Sequence, residues 1–192
     1  MISDVICLSE TWLWDGEDKS RLELNGFKSH HITEGKGKGL SMYFNMSKFK
    51  HSNDVKTQKI QMIKMTGANL DIIGVYKAPT GNDAELRDLL KEFINERRST
   101  LVFGDFNMCF IDNRNCRTTN FLIESQFKQL VTEATHFLGG HIDQVYLRSN
   151  SYIADMELHS PYYTVKDHDA LCICLTETKQ NINRNLKKQK KK

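Results

Sequence analysis

The chain has 192 residues, with 39% hydrophobic, 27% charged and only two prolines. That composition reads as one soluble globular domain and excludes a disordered, collagen-like or membrane-spanning chain. The net charge of +3 is misleading: residues 184–192 carry six Lys and Arg and no acid, which leaves 21 bases against 24 acids in the rest. The body is slightly acidic, which counts against a broadly basic nucleic-acid platform.

In chain order, residues 4–9 (DVICLS) form a short apolar run with β-branched residues and read as a buried strand. The Gly35-Lys36-Gly37-Lys38-Gly39 segment is not a Walker sequence, and no helical pattern follows it. It reads as a mobile turn that leads into a strand over 40–44. Residues 60–66 alternate apolar and polar, and 70–76 (LDIIGVY) give a stronger strand signal. Asn82 or Asp83 can cap a helix whose apolar face is Leu86, Leu89, Leu90, Phe93 and Ile94. Residues 101–103 read as the next strand. Thr118 or Thr119 can cap a second helix, with a stripe of Ile123, Phe127, Leu130, Val131 and Ala134. After the break at Gly139-Gly140, residues 141–147 and 170–175 read as strands. The domain is expected over 1–178, followed by a basic, disordered tail over 179–192.

The cysteines (Cys7, Cys109, Cys116, Cys172 and Cys174) are odd in number and irregularly spaced. They read as buried thiols in a reducing compartment rather than a disulfide framework or a zinc site. No secretory signal pattern is present at residues 1–8, so the expected location is intracellular, in the nucleus or the cytoplasm, with no membrane partner and no obligate protein partner.

Polar groups with catalytic chemistry sit where apolar strands end. Glu10 follows VICLS, Asp105 and Asn107 follow LVF, and Asp167 and His168 precede ALCICL. Asp143 lies inside a strand-like run. A carboxylate there is costly unless a histidine or a cation partners it.

Ser9-Glu10-Thr11-Trp12-Leu13, Val75-Tyr76-Lys77-Ala78-Pro79, Gly104-Asp105-Phe106-Asn107, Ile142-Asp143-Gln144-Val145-Tyr146 and Asp167-His168-Asp169-Ala170 follow one another in order. Together they resemble the endonuclease/exonuclease/phosphatase superfamily, most closely the apurinic-type endonucleases and the endonuclease domains of LINE-like retrotransposons. The resemblance implies an α+β, DNase I-like four-layer sandwich in which two packed β-sheets are flanked by helices. It implies a Mg²⁺- or Mn²⁺-dependent phosphodiester hydrolase acting on DNA. Glu10 and Asp167 match metal positions. Asp105 matches the base or orienter of the attacking water, and Asn107 the group holding water and phosphate oxygen. Tyr76 matches a donor to the scissile phosphate. His168, held by Asp143, matches the group that stabilises transition-state charge. Lys36, Lys38 and Lys166 would contact the substrate backbone.

Three departures accompany these matches. The family's first strand, with its catalytic asparagine, has no counterpart before Glu10, so an N-terminally truncated domain is expected. Lys166 and Thr80 replace the usual neighbours of the Asp-His and Tyr-x-x-Pro motifs. The alternatives are an inactive remnant of the fold that serves at most as a binding module, and a phosphatase acting on a small substrate.

Overall fold

The computed structural model describes residues 3–108, 116–159 and 167–178. Cys109, Lys166 and the basic segment from 179 onward lie outside the described residues. The elements are β1 (Val5–Ser9), β2 (Lys28–Ile32), β3 (Leu40–Phe44), β4 (Phe49–Lys56), β5 (Ile60–Gly67), β6 (Leu70–Lys77), α1 (Asp83–Phe93), β7 (Ser99–Asp105), α2 (Arg117–Glu124), β8 (Lys128–Gln129), β9 (Asp143–Arg148), β10 (Tyr152–His159) and β11 (Ala170–Glu177).

The strands form a six-stranded sheet of order β4-β5-β6-β7-β9-β8, a three-stranded sheet of order β1-β3-β2, and the β10-β11 pair. Among the described residues only β6 and β7 run parallel, and α1 connects them. Strand periodicity divides the core in two. On one face of the large sheet, Ile60, Met62, Ile73, Val75, Val102 and Tyr146 pack with Leu86, Leu90 and Phe93 of α1 and Leu122 of α2. On the other face, Ile63, Met65, Leu70, Ile72, Leu101, Val145 and Leu147 meet Leu40, Met42 and Phe44 of β3, together with Leu171, Ile173 and Leu175 of β11. The result is the expected α+β sandwich, with both helices on one side of the large sheet.

Local chemistry explains the boundaries. The Asn82 side chain caps α1 by accepting from the N–H groups of Ala84 and Glu85. Asp83 then accepts from Arg117 N at 2.6 Å and Thr118 N at 3.1 Å, so the first helix supplies an acceptor to the start of the second.

The structure corrects several expectations. Cys116, not Thr118 or Thr119, caps α2, and both threonines are buried. The second helix stops at Glu124, because Gln126 adopts φ +65 and the Phe127 N–H donates back to the Leu122 carbonyl at 2.9 Å. Phe127 and Val131 are buried as expected, but from the turn and from beyond β8, while Ile123 is exposed. Asp143 is the first residue of β9 rather than an interior one. Cys172 is half-buried and Cys174 exposed, because Leu171, Ile173 and Leu175 take the core-facing positions of β11. Strands β2, β4, β8 and β10 were not anticipated.

Candidate active site

Register places the site. Across the large sheet Gln61 pairs with Tyr76, Tyr76 with Asp105, and Asp105 with Asp143. Four polar residues from adjacent strands therefore form one transverse row, on the face that packs against the two smaller sheets. All four are buried. β6 and β7 end at this row and β9 begins there, so the row opens at the rim of the sandwich.

Two turns that carry site residues are shaped by close backbone approach. Gly104 has φ +142, and a Cβ there would run into the Val75 carbonyl oxygen of the paired strand. Only glycine lets β7 lie that close while presenting Asp105. Beyond it, Asn107 sits at φ +46 and binds the carboxylate twice: its N–H donates to Asp105 Oδ1 at 2.8 Å and its Nδ2 to Oδ2 at 2.7 Å. Nδ2 also reaches the Lys77 carbonyl at 3.0 Å.

Glu10 follows β1 in the left-handed region, φ +50, with Trp12 at φ +56. This turn is clasped by the glycine-rich segment. Thr11 N donates to the Gly39 carbonyl and Trp12 N to the Lys38 carbonyl at 2.8 Å, and a side chain at Gly39 would collide with Thr11 Oγ1. The Gly35–Gly39 segment is thus a turn, as its sequence suggests, with a packing role on the Glu10 strand end. The Tyr76 hydroxyl lies 3.0 Å from Glu10 Oε1 and 2.9 Å from the Gly37 carbonyl, so one hydrogen serves two acceptors. Burial, with the nearby Glu10 charge, pushes the Tyr76 hydroxyl well above the ordinary tyrosine range.

At the other end of the row, His168 Nδ1 lies 2.7 Å from Asp143 Oδ2. That hydrogen bond raises the imidazole to about 9 against the opposing effect of burial. The Asp143 N–H donates to Thr135 Oγ1 at 3.1 Å, and the Asp169 N–H to the Thr135 carbonyl at 2.8 Å, fixing the histidine-bearing segment beside β9. His136 pairs with His168 as an isolated bridge, and the two rings meet edge to face.

Asp105 lies between these ends. Burial first, then the Asp143 and Glu10 charges, push its carboxyl up to about 7, partly opposed by the Asn107 hydrogen bond and by His168. Burial holds the Lys77 ammonium below its ordinary range, while Asp105 and Asp83 act in the opposite direction.

The structure thus connects Glu10, Tyr76, Asp105, Asn107, Asp143 and His168. Asp167 is exposed, and its carbonyl accepts from Phe137 N at 3.0 Å. Lys36 is exposed, with its ammonium 5.9 Å from the centroid of the Trp12 ring. Lys38 is half-buried, and its ammonium is bound by Glu34 at 2.6 Å and the Gln58 carbonyl at 3.0 Å. Sequence reasoning missed Glu34 and Gln61. The amide of Gln61 donates to Glu34 at 2.7 Å and its oxygen accepts from Gly39 N at 3.1 Å, which ties the glycine-rich turn to the row. No motif marks either residue: strand pairing brings Gln61 there, and the loop after β2 brings Glu34.

The donor set fits a hard divalent cation. Glu10, Asp105 and Asp143 offer oxygen, and the Asp143 and Glu10 charges add to burial in raising the Asp105 carboxyl, a repulsion that a cation would relieve.

Such a rim, with acids at the ends of central strands and a histidine held by a carboxylate, defines a hydrolase-type sandwich. The chain belongs to the endonuclease/exonuclease/phosphatase family, whose model matches residues 2–162. Solved structures share the fold at low identity. An AP endonuclease from Archaeoglobus fulgidus aligns with a TM-score of 0.65 at 14% identity, over 91% of this chain and 88% of that one. The human Nocturnin catalytic domain gives 0.63 at 13%, over 91% and 81%. The endonuclease domain of TRAS1, a telomere-specific non-LTR retrotransposon, gives 0.59 at 14%, over 78% of each chain. No curated protein sequence matches the chain. Among the described residues, no helix is long and apolar enough to cross a membrane.

Proposed function

We propose that the chain is a Mg²⁺- or Mn²⁺-dependent phosphodiester hydrolase that cleaves DNA. The single observation that carries this reading is the transverse row of Tyr76, Asp105 and Asp143, flanked by Glu10 and His168. Glu10 would hold the ion, with the exposed carboxylate of Asp167 as a second candidate. When bound, the ion would supply Lewis-acid polarisation of the phosphoryl oxygens.

The remaining roles belong to the chain's own groups. The raised carboxyl of Asp105 accepts the proton of the attacking water. Asn107, locked to that carboxylate, orients the water. His168 stays protonated at neutral pH and donates to a non-bridging phosphate oxygen as negative charge builds. Tyr76 gives up one of its two acceptors to reach the same phosphate. Attack forms one P–O bond and breaks the opposite one.

DNA as substrate is supported by the neighbours. One is an AP endonuclease, and another, zebrafish TDP2, is complexed with a single-strand DNA product. Exposed apolar groups border the site on both sides, with Trp12 beside Glu10 and Phe137 and Leu138 beside His168. Such groups suit stacking against bases. The free thiols Cys7, Cys116 and Cys172 fit a reducing compartment, nuclear or cytoplasmic.

The test is nicking of supercoiled plasmid with Mg²⁺ or Mn²⁺ by the wild type, Asp105→Asn and His168→Ala. Nicking by the wild type with a loss of at least about 100-fold in each variant is expected. Activity surviving in both variants, or a wild type that hydrolyses only a small phosphomonoester, overturns the reading.

A further inference from the structure

Away from the cleft, three potential ligands converge between the edge strands of the two sheets. His30 lies on β2, and His51 and Asp54 on β4. One ligand atom from each falls within 4.8 Å of the others. Asp54 Oδ1 is 3.3 Å from His30 Nε2 and 3.0 Å from His51 Nε2. We propose that these three side chains form a binding site for a borderline transition-metal ion of the Zn²⁺ type, joining the two sheets of the sandwich.

Four observations support the site. First, a regular strand places residues i and i+3 on opposite faces. His51 and Asp54 meet only because a β-bulge lies between them: His51 pairs with Met65 and Asn53 with Lys64, leaving Ser52 unmatched. Bulges of this kind re-aim side chains. Second, β2 is the edge of the three-stranded sheet and β4 the edge of the six-stranded one. The cluster therefore spans two sheets at unpaired edges, where no backbone ladder joins them. Third, His51 Nε2 is buried and makes no aligned hydrogen bond, although Asp54 Oδ1 lies only 3.0 Å away. A buried ring nitrogen without a well-directed hydrogen bond is costly, and an ion between the two groups would satisfy it. Fourth, the two imidazoles stack with centroids 3.8 Å apart. Protonating both would place like charges in contact.

The geometry is near that of a bound ion. Three ligand atoms at about 2.0–2.2 Å from a tetrahedral centre stand about 3.3–3.6 Å apart. The carboxylate-to-ring separations, 3.3 Å to His30 and 3.0 Å to His51, are at and just below this span. Two histidines and one aspartate leave a fourth position for water.

The site is distinct from the cleft in ligand chemistry, and the test separates the two. Zn²⁺ is titrated by calorimetry into Glu10→Gln protein, which keeps the edge-strand site and lacks the cleft's metal-holding carboxylate. The same titration follows in that background carrying His30→Ala or His51→Ala. One equivalent is expected, with affinity falling at least tenfold in either histidine variant and a Zn²⁺-dependent rise in Tm that disappears with it. In the wild type, NMR should show the His30 and His51 ring signals moving with Zn²⁺ ahead of the exposed His159, a readout that holds even if a variant folds poorly. Equal affinity with and without the two histidines, or ring signals of His30 and His51 that do not respond, overturns the site.

Discussion

Replacing Asp105 by Asn should stabilise the metal-free protein at neutral pH, while removing the proposed base. Asp105 is 1% exposed, and its carboxyl is displaced from 3.8 to about 7 by burial and the Asp143 and Glu10 charges. The unfolded chain releases this proton near pH 4, whereas the folded chain keeps it until about pH 7. Folding stability is therefore lost progressively across that interval as pH rises. The interval corresponds to about 4 kcal/mol of destabilisation above pH 7 and to none below pH 4. Asparagine removes this penalty. It keeps an acceptor for the Asn107 N–H but loses the one that Asn107 Nδ2 uses, at a cost of about 1–2 kcal/mol. The net gain should be about 2 kcal/mol at pH 7.5, turning into a small loss at pH 4. Urea denaturation in EDTA at pH 4, 5.5 and 7.5 measures it. A variant no more stable than the wild type at pH 7.5, or a difference that does not change with pH, would refute the reasoning.

Two further predictions test the structure elsewhere. His168 sits at about 9, above its ordinary 6.5, so its pair with Asp143 contributes stability that is fully present below pH 6.5 and is lost as pH rises through 9. In Asp143→Asn the ring should titrate near or below 6.5 by NMR, since burial then acts with its main opponent removed; titration still near 9 would show that another group holds the proton. At the far end of the same strands, Asp71 is 1% exposed and bound by Lys64 at 2.9 Å and Arg98 at 2.7 Å. Asp71→Ala strands two cations and should cost about 3–5 kcal/mol in urea unfolding; a cost below about 1 kcal/mol would mean that the pairs are screened.

Sequence legibility followed burial and locality. β6 reads clearly because LDIIGVY is buried on both faces, and α1 because its stripe and its Asn82 cap agree. β2 and β4 escape notice because they are edge strands with largely exposed, polar residues. β10 carries an alternating signal, Tyr152, Ala154 and Met156 inward, in a segment whose charged positions mask it. The second helix is overextended because Phe127 and Val131 continue a helical spacing by coincidence, while the left-handed Gln126 gives no compositional warning. The motif residues of the cleft are local features, each at a strand end. Gln61 reaches them only through pairing across the sheet, and Glu34 only through the fold of the loop after β2, neither of which a linear pattern encodes. The bulge at Ser52 is likewise invisible without its partner strand.

The transverse row also bears on how the sheet assembles. Successive residues of a strand face opposite cores, so sliding β6, β7 or β9 by one position relative to its neighbours would turn Tyr76, Asp105 or Asp143 toward the Leu86, Leu90 and Leu122 side. Each buried polar group left without a partner there would cost about 1–3 kcal/mol, more for a carboxylate. The cleft residues thus act as a proofreading device during folding, penalising one-residue slips of the central strands. Neutralising the row would relax that discrimination, and refolding would then sample slipped sheets that the native sequence rejects.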